Sequence, residues 1–131
     1  MHFPEDELTV CCVRWFTLQY KNRVIWHTPN GGKRNAREAG RLKAMGVLPG
    51  VPDLFIAEPN KYSHGLFVEL KIKPNKTTDK QKRVIAQLQT RGFTVEICYT
   101  LQDFIKVVQN FLSLESDNKE WDEKAKNSYI C

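Results

Sequence analysis

A chain of 131 residues has room for one domain around a single core and none for two. Hydrophobic residues make up 41% and charged residues 27%, an ordinary globular composition, and no apolar run approaches the roughly 20 residues of a membrane span. The four cysteines (11, 12, 98 and 131) form no CxxC, and His2, His27 and His64 are scattered, which argues against a structural zinc site. Cys11, Cys12 and Cys98 read as small buried hydrophobes in a reducing compartment, whereas Cys131 at the terminus has no readable role; the acidic N-terminus has no signal-peptide core, so the cytoplasm is the expected location. Net charge is +5, unevenly spread: residues 115–131 hold five acids against three lysines, so the body is more basic than the whole. A basic body favours a polyanionic partner, nucleic acid first.

In chain order, Pro4 followed by Glu5, Asp6 and Glu7 marks a helix start, with acids at the positive end of the helix dipole. Leu8, Cys11, Trp15 and Leu18 recur at helical spacing and extend that helix over residues 4–20. Val24, Ile25 and Trp26 form a short strand, closed by a loop at Pro29, Asn30, Gly31 and Gly32. A second helix covers 36–45 and stops at Gly46. The prolines and glycine of 47–52 force an irregular stretch before a strand at 53–57. After a turn at 60–65 comes a strand at 66–70, antiparallel to the last. Thr78 opens a helix that runs to 91, followed by a strand at 93–99 and a helix at 101–114. The latter carries Leu101, Phe104, Ile105, Val108 and Leu112 on one face. The order α-β-α-β-β-α-β-α predicts an α/β fold, a mixed β-sheet flanked by helices, over residues 1–114. Residues 115–131 form a polar tail. Trp15, Phe16, Phe55, Phe67, Phe93 and Phe104 sit in apolar patterns and are assigned to the core.

The chemistry gathers on the 53–71 hairpin. Asp53 opens one strand and Glu69 ends the next, so antiparallel pairing brings both carboxylates to one end, where hard oxygen ligands suit Mg²⁺ or Mn²⁺. Lys71 lies two residues beyond Glu69, on the same strand face. There it is placed to orient a water or offset charge on phosphorus, while a metal lowers the pKa of water and acts as a Lewis acid. Any lone ExK triplet is common by chance. The order Gly50-Val51-Pro52-Asp53, strand, turn, Phe67-Val68-Glu69-Leu70-Lys71 is far more specific.

These blocks resemble the PD-(D/E)xK nuclease superfamily and, more narrowly, its VRR-NUC family in the stand-alone phage and bacterial form. The resemblance spans roughly residues 5–112. It rests on an acidic residue in the first helix, the Asn-Gly loop before a basic helix, LKAMGVLPGVPDL, FVELK, and a helix opening with Thr78 and Gln81. It implies a restriction-endonuclease-like core and a metal bound by Glu7, Asp53, Glu69 and the Leu70 carbonyl. Hydrolysis is then assisted by Lys71 and leaves a 5′-phosphate. Glu7 has a second reading, stabilisation of the helix N-terminus, which Glu5 and Asp6 serve equally well. Gln81, a catalytic candidate by the same resemblance, also completes a capping box with Thr78, and the two roles are compatible. The family often has an arginine on the last strand, where Tyr99 stands here. A phage-encoded member would work in the host cytoplasm.

Two basic clusters flank the acids: Lys33, Arg34, Arg37, Arg41 and Lys43 around the second helix, and Lys73, Lys76, Lys80, Lys82 and Arg83 after the catalytic strand. Together with Asn30 they are candidate DNA contacts, of the phosphate-binding kind that gives affinity without sequence preference. Either cluster alone also reads as a solvated face. The expected function is a metal-dependent, structure-specific DNA endonuclease, a Holliday-junction resolvase acting as a homodimer on four-way junctions. The alternatives are a flap or nonspecific nuclease, and a non-catalytic DNA-binding module of the same fold.

Overall fold

The computed structural model describes residues 4–29 and 35–115. Four helices, α1 (Pro4–Gln19), α2 (Ala36–Ala44), α3 (Asp79–Thr90) and α4 (Leu101–Ser113), alternate with strands β1 (Ile25–His27), β2 (Leu54–Ile56), β3 (Leu66–Leu70) and β4 (Thr94–Cys98). The strands form one sheet in the order β1-β2-β3-β4. β1 and β2 pair antiparallel, as do β2 and β3, whereas β4 joins β3 in parallel after the α3 crossover. This is the mixed sheet that the element order predicts. The tail beyond Glu115 lies outside the described residues. No helix among the described residues is long and apolar enough to cross a membrane.

Strand alternation divides the sheet into two faces. Leu54, Ile56, Leu66, Val68, Leu70 and Cys98 point to one side and are buried against Cys12 and Phe16 of α1 and Phe104, Val108 and Phe111 of α4. The residues between them, Asp53, Phe55, Phe67 and Glu69, project to the other side. There α3 packs against β4. Of the six aromatics assigned to the core, Phe16 and Phe104 are fully buried; Trp15, Phe55, Phe67 and Phe93 are only half-buried.

Helix α1 departs from its expected phase. Cys11 is exposed and Leu18 is 65% exposed, while Cys12 and Phe16 are the buried residues. The stretch Val10-Cys11-Cys12-Val13-Arg14-Trp15-Phe16 is apolar at nearly every position, so its periodicity admits more than one inward face. Packing against the sheet and α4 selects the face centred on Cys12. Burial drives the Cys12 and Cys98 thiols up to about 12, as inert core hydrophobes. The expectation of burial holds for these two and fails for Cys11.

The remaining elements start and stop for local reasons. Asn35 caps α2 by accepting from the Glu38 N–H at 2.8 Å, and Gly46, at φ +94°, ends it. No residue of α2 is buried. Gly50 matters most for the site. Its φ is +91°, and a Cβ there would lie 3.0 Å from the Lys80 backbone carbon and oxygen. The loop before β2 therefore rests directly on the first turn of α3, with no room for a side chain. Gly50→Ala is expected to destabilise the fold by about 1–3 kcal/mol, read as a lower urea midpoint at unchanged slope.

Candidate active site

The hairpin register decides the site. Leu54 pairs with Val68, so the next residues outward, Asp53 and Glu69, stand opposite each other. Pro52 is fully buried and anchors the chain just before Asp53. The Asp53 carboxylate accepts from the Leu70 N–H through Oδ2 at 2.7 Å, which pins it across the strand gap. The Leu70–Lys71 peptide donates its N–H to the Cys98 carbonyl at 2.9 Å. Its C=O lies anti to that N–H, as in any trans peptide, and so opens on the Asp53 side of β3.

Glu69 is only 3% exposed and Lys71 only 7%. The Lys71 Nζ lies 3.9 Å from Glu69 Oε1, so the strand places both side chains on one face as their spacing predicts. Gln81 makes two contacts. Its Oε1 accepts from the Thr78 N–H at 2.9 Å and completes the capping box, while its Nε2 donates to Glu69 Oε1 at 3.3 Å. Because the carbonyl end is committed to a backbone donor, the amide orientation follows from the network.

Glu69 is left in an unusual state. Its Oε2 is buried and has no hydrogen-bond partner. Burial and the adjoining Asp53 carboxyl push the Glu69 pKa up; Lys71 opposes them, and the charge of Glu5 adds to them. A carboxylate pair with one orphaned oxygen and an all-oxygen donor set fits a hard divalent cation, which would supply the missing partner and offset the repulsion. Asp53, Glu69 and the Leu70 carbonyl are the groups placed to hold it. Among the described residues, no third Asp, Glu, His or Cys comes close enough to complete a three-ligand group.

Glu5 and Glu7 are both exposed in the first turn of α1. At 100° per residue, Glu7 lies about 140° around the helix from the buried Cys12 and Glu5 about 20°, and the charge of Glu5 acts on Glu69. A residue not singled out from the sequence is His27, whose Nδ1–H donates to the Asp53 carbonyl at 2.9 Å beside the Thr28 N–H at 2.8 Å. Only the strand pairing brings it there, and no local motif announces it.

Arg37 and Arg41, four residues apart on α2, are exposed, as are Lys73, Lys76 and Lys80 around the start of α3. Asn30, Lys33 and Arg34 lie outside the described residues.

The VRR-NUC domain model matches residues 4–101, from the start of α1 to the start of α4 and across every site residue above. The chain belongs to the VRR-NUC family. Two chains of solved structures match it. One, described as a VRR_NUC domain protein, superposes with a TM-score of 0.72 at 27% identity, covering 88% of this chain and 93% of its own. No curated protein sequence gives a match. The fold and the membership of this nuclease family read from the sequence are thus both correct. Tyr99 supports the Lys73 ammonium 5.5 Å above its ring, while its own N–H donates to Asp103 Oδ2 at 3.0 Å.

Proposed function

We propose that this VRR-NUC protein is a metal-dependent, structure-specific DNA endonuclease. The observation that carries the reading is the buried Glu69 carboxyl facing Asp53 with an orphaned oxygen, braced by Lys71 and Gln81. A fold that only bound DNA would gain nothing from burying such a pair, because it costs stability unless a cation completes it. Mg²⁺ or Mn²⁺, when bound, supplies Lewis acidity and an activated water. The protein's own groups do the rest. Asp53 and Glu69 fix the ligand geometry, with Glu5 as the outer carboxylate. Gln81 holds Glu69 in place, and Lys71 orients the attacking water and offsets charge developing on the phosphate. Lys71→Ala is expected to slow cleavage by about 10²–10³-fold with little change in DNA affinity, measured in single-turnover reactions.

The substrate we favour is the four-way DNA junction, cut by a homodimer. One observation supports this choice. The exposed apolar side chains just after α2, Met45 at 70% and Leu48 at 53%, are of the kind a second copy covers. The test is cleavage of a mobile four-way junction, a flap and a linear duplex by purified protein with Mn²⁺. Paired symmetric nicks in the junction support a resolvase; equal or greater cleavage of the flap or duplex would transfer the assignment to those substrates. Replacing Arg37 and Arg41 together with alanine should weaken DNA binding and reduce the logarithmic salt slope by about two, read by titrations at several salt concentrations.

A further inference from the structure

Asp53 is held at two points. Its carboxylate is fixed by the Leu70 N–H at 2.7 Å. Its main-chain carbonyl receives two donors from β1 and the residue after it: the Thr28 N–H at 2.8 Å, an extension of the strand ladder, and the His27 ring at 2.9 Å. The ring bond is not part of the ladder. His27 pairs with Leu54, and its side chain leans along the edge strand to reach the carbonyl of the preceding residue. A carbonyl can only accept, so the imidazole must donate from Nδ1. The other ring nitrogen carries no role in this bond.

The carbonyl orientation sets the peptide plane from which the Asp53 side chain departs. At the open end of a three-residue strand, one ladder bond leaves that plane free to tilt. A second donor on the same oxygen restrains it.

We propose that His27 is a positioning residue that holds Asp53 for metal binding through the Nδ1–H bond to its main-chain carbonyl. This rests on the reading of Asp53 and Glu69 as a cation site, and it assigns a part in that site to the edge strand β1. His27 touches neither substrate nor cation in this role. Losing an outer partner of a metal ligand generally costs about 10–100-fold in affinity, and that is the effect expected here.

The test is calorimetric titration of Mn²⁺ into the full chain without DNA, so that activity does not enter. Four proteins are compared: wild type, Asp53→Asn, His27→Ala and His27→Asn. The asparagine amide places a donor near the position of Nδ1 and should restore the bond. Wild type should bind, and Asp53→Asn should not. His27→Ala should bind about 10–100-fold more weakly, and His27→Asn should recover most of the loss. His27 is exposed, so each variant is expected to fold, and metal-free thermal melts confirm this. A purely structural role would lower the melting temperature and leave affinity unchanged. Wild-type affinity in His27→Ala, or equal weakening in His27→Asn, overturns the proposal and leaves the metal site standing. Absence of binding by wild type overturns both.

Discussion

Asp53→Asn is expected to reduce cleavage by at least about a thousandfold, the upper end for loss of one electrostatic group in an active site, while leaving the protein folded. The expectation of an intact fold comes from geometry. The Asp53 Oδ2 accepts from the Leu70 N–H, and an asparagine carbonyl accepts the same bond. The main-chain carbonyl, held by His27 and Thr28, is unchanged by the substitution. What disappears is the negative charge, and with it half of the carboxylate pair. A neutral amide also binds Mg²⁺ or Mn²⁺ more weakly than a carboxylate does. Single-turnover cleavage alongside a thermal melt separates the two consequences. If the variant cuts its substrate as fast as wild type, Asp53 does not hold the ion and the site has been misplaced. If it unfolds, the negative charge of Asp53 matters to the hairpin as well as to chemistry.

The parts of this site legible in the sequence are those fixed by local rules. Two strands of alternating character separated by one turn place Asp53 opposite Glu69 whatever surrounds them, and the i, i+2 spacing sets Lys71 beside Glu69. Thr78 and Gln81 announce a helix start through three-residue spacing, and the same amide then reaches Glu69. Helix α1 was different, because phase in an evenly apolar helix is a tertiary property. The spacing aligns Leu8, Cys11, Trp15 and Leu18 on one face, whereas the buried residues of the helix are Cys12 and Phe16. A displaced phase accounts for the exposed Cys11 and Leu18. His27 was out of reach for a related reason: its partner lies 26 residues away, across a pairing whose register no local pattern sets.

The carboxyl of Glu69 ties stability, pH and metal together. Its pKa rises from 4.5 to about 9 in the fold, led by burial and then by the adjoining Asp53 carboxyl. Below the unfolded value, both states hold the proton and the group contributes no pH dependence. Above it, the unfolded chain releases the proton while the folded chain keeps it, so the unfolded state gains. From this group, the stability of the metal-free protein should thus fall as pH climbs through the window between 4.5 and about 9, then level off. The limiting slope is about 1.4 kcal/mol per pH unit. A bound cation reverses the preference, because it requires the ionised carboxylate and displaces the proton on binding. The rise in melting temperature caused by Mn²⁺ should therefore be small near about pH 5 and large near about pH 8. Glu69→Gln tests both halves. An amide resembles the protonated carboxyl in size and charge, so Lys71 faces a neutral neighbour in either case. The variant should lose the downward slope of the metal-free protein and the stabilisation by Mn²⁺ together. Melts in EDTA and in Mn²⁺ across that range provide the measurement. If Glu69→Gln keeps the slope, another group causes it. If it keeps the metal-induced rise, the ion binds elsewhere, and the orphaned Oε2 is a strained core oxygen with no part in catalysis.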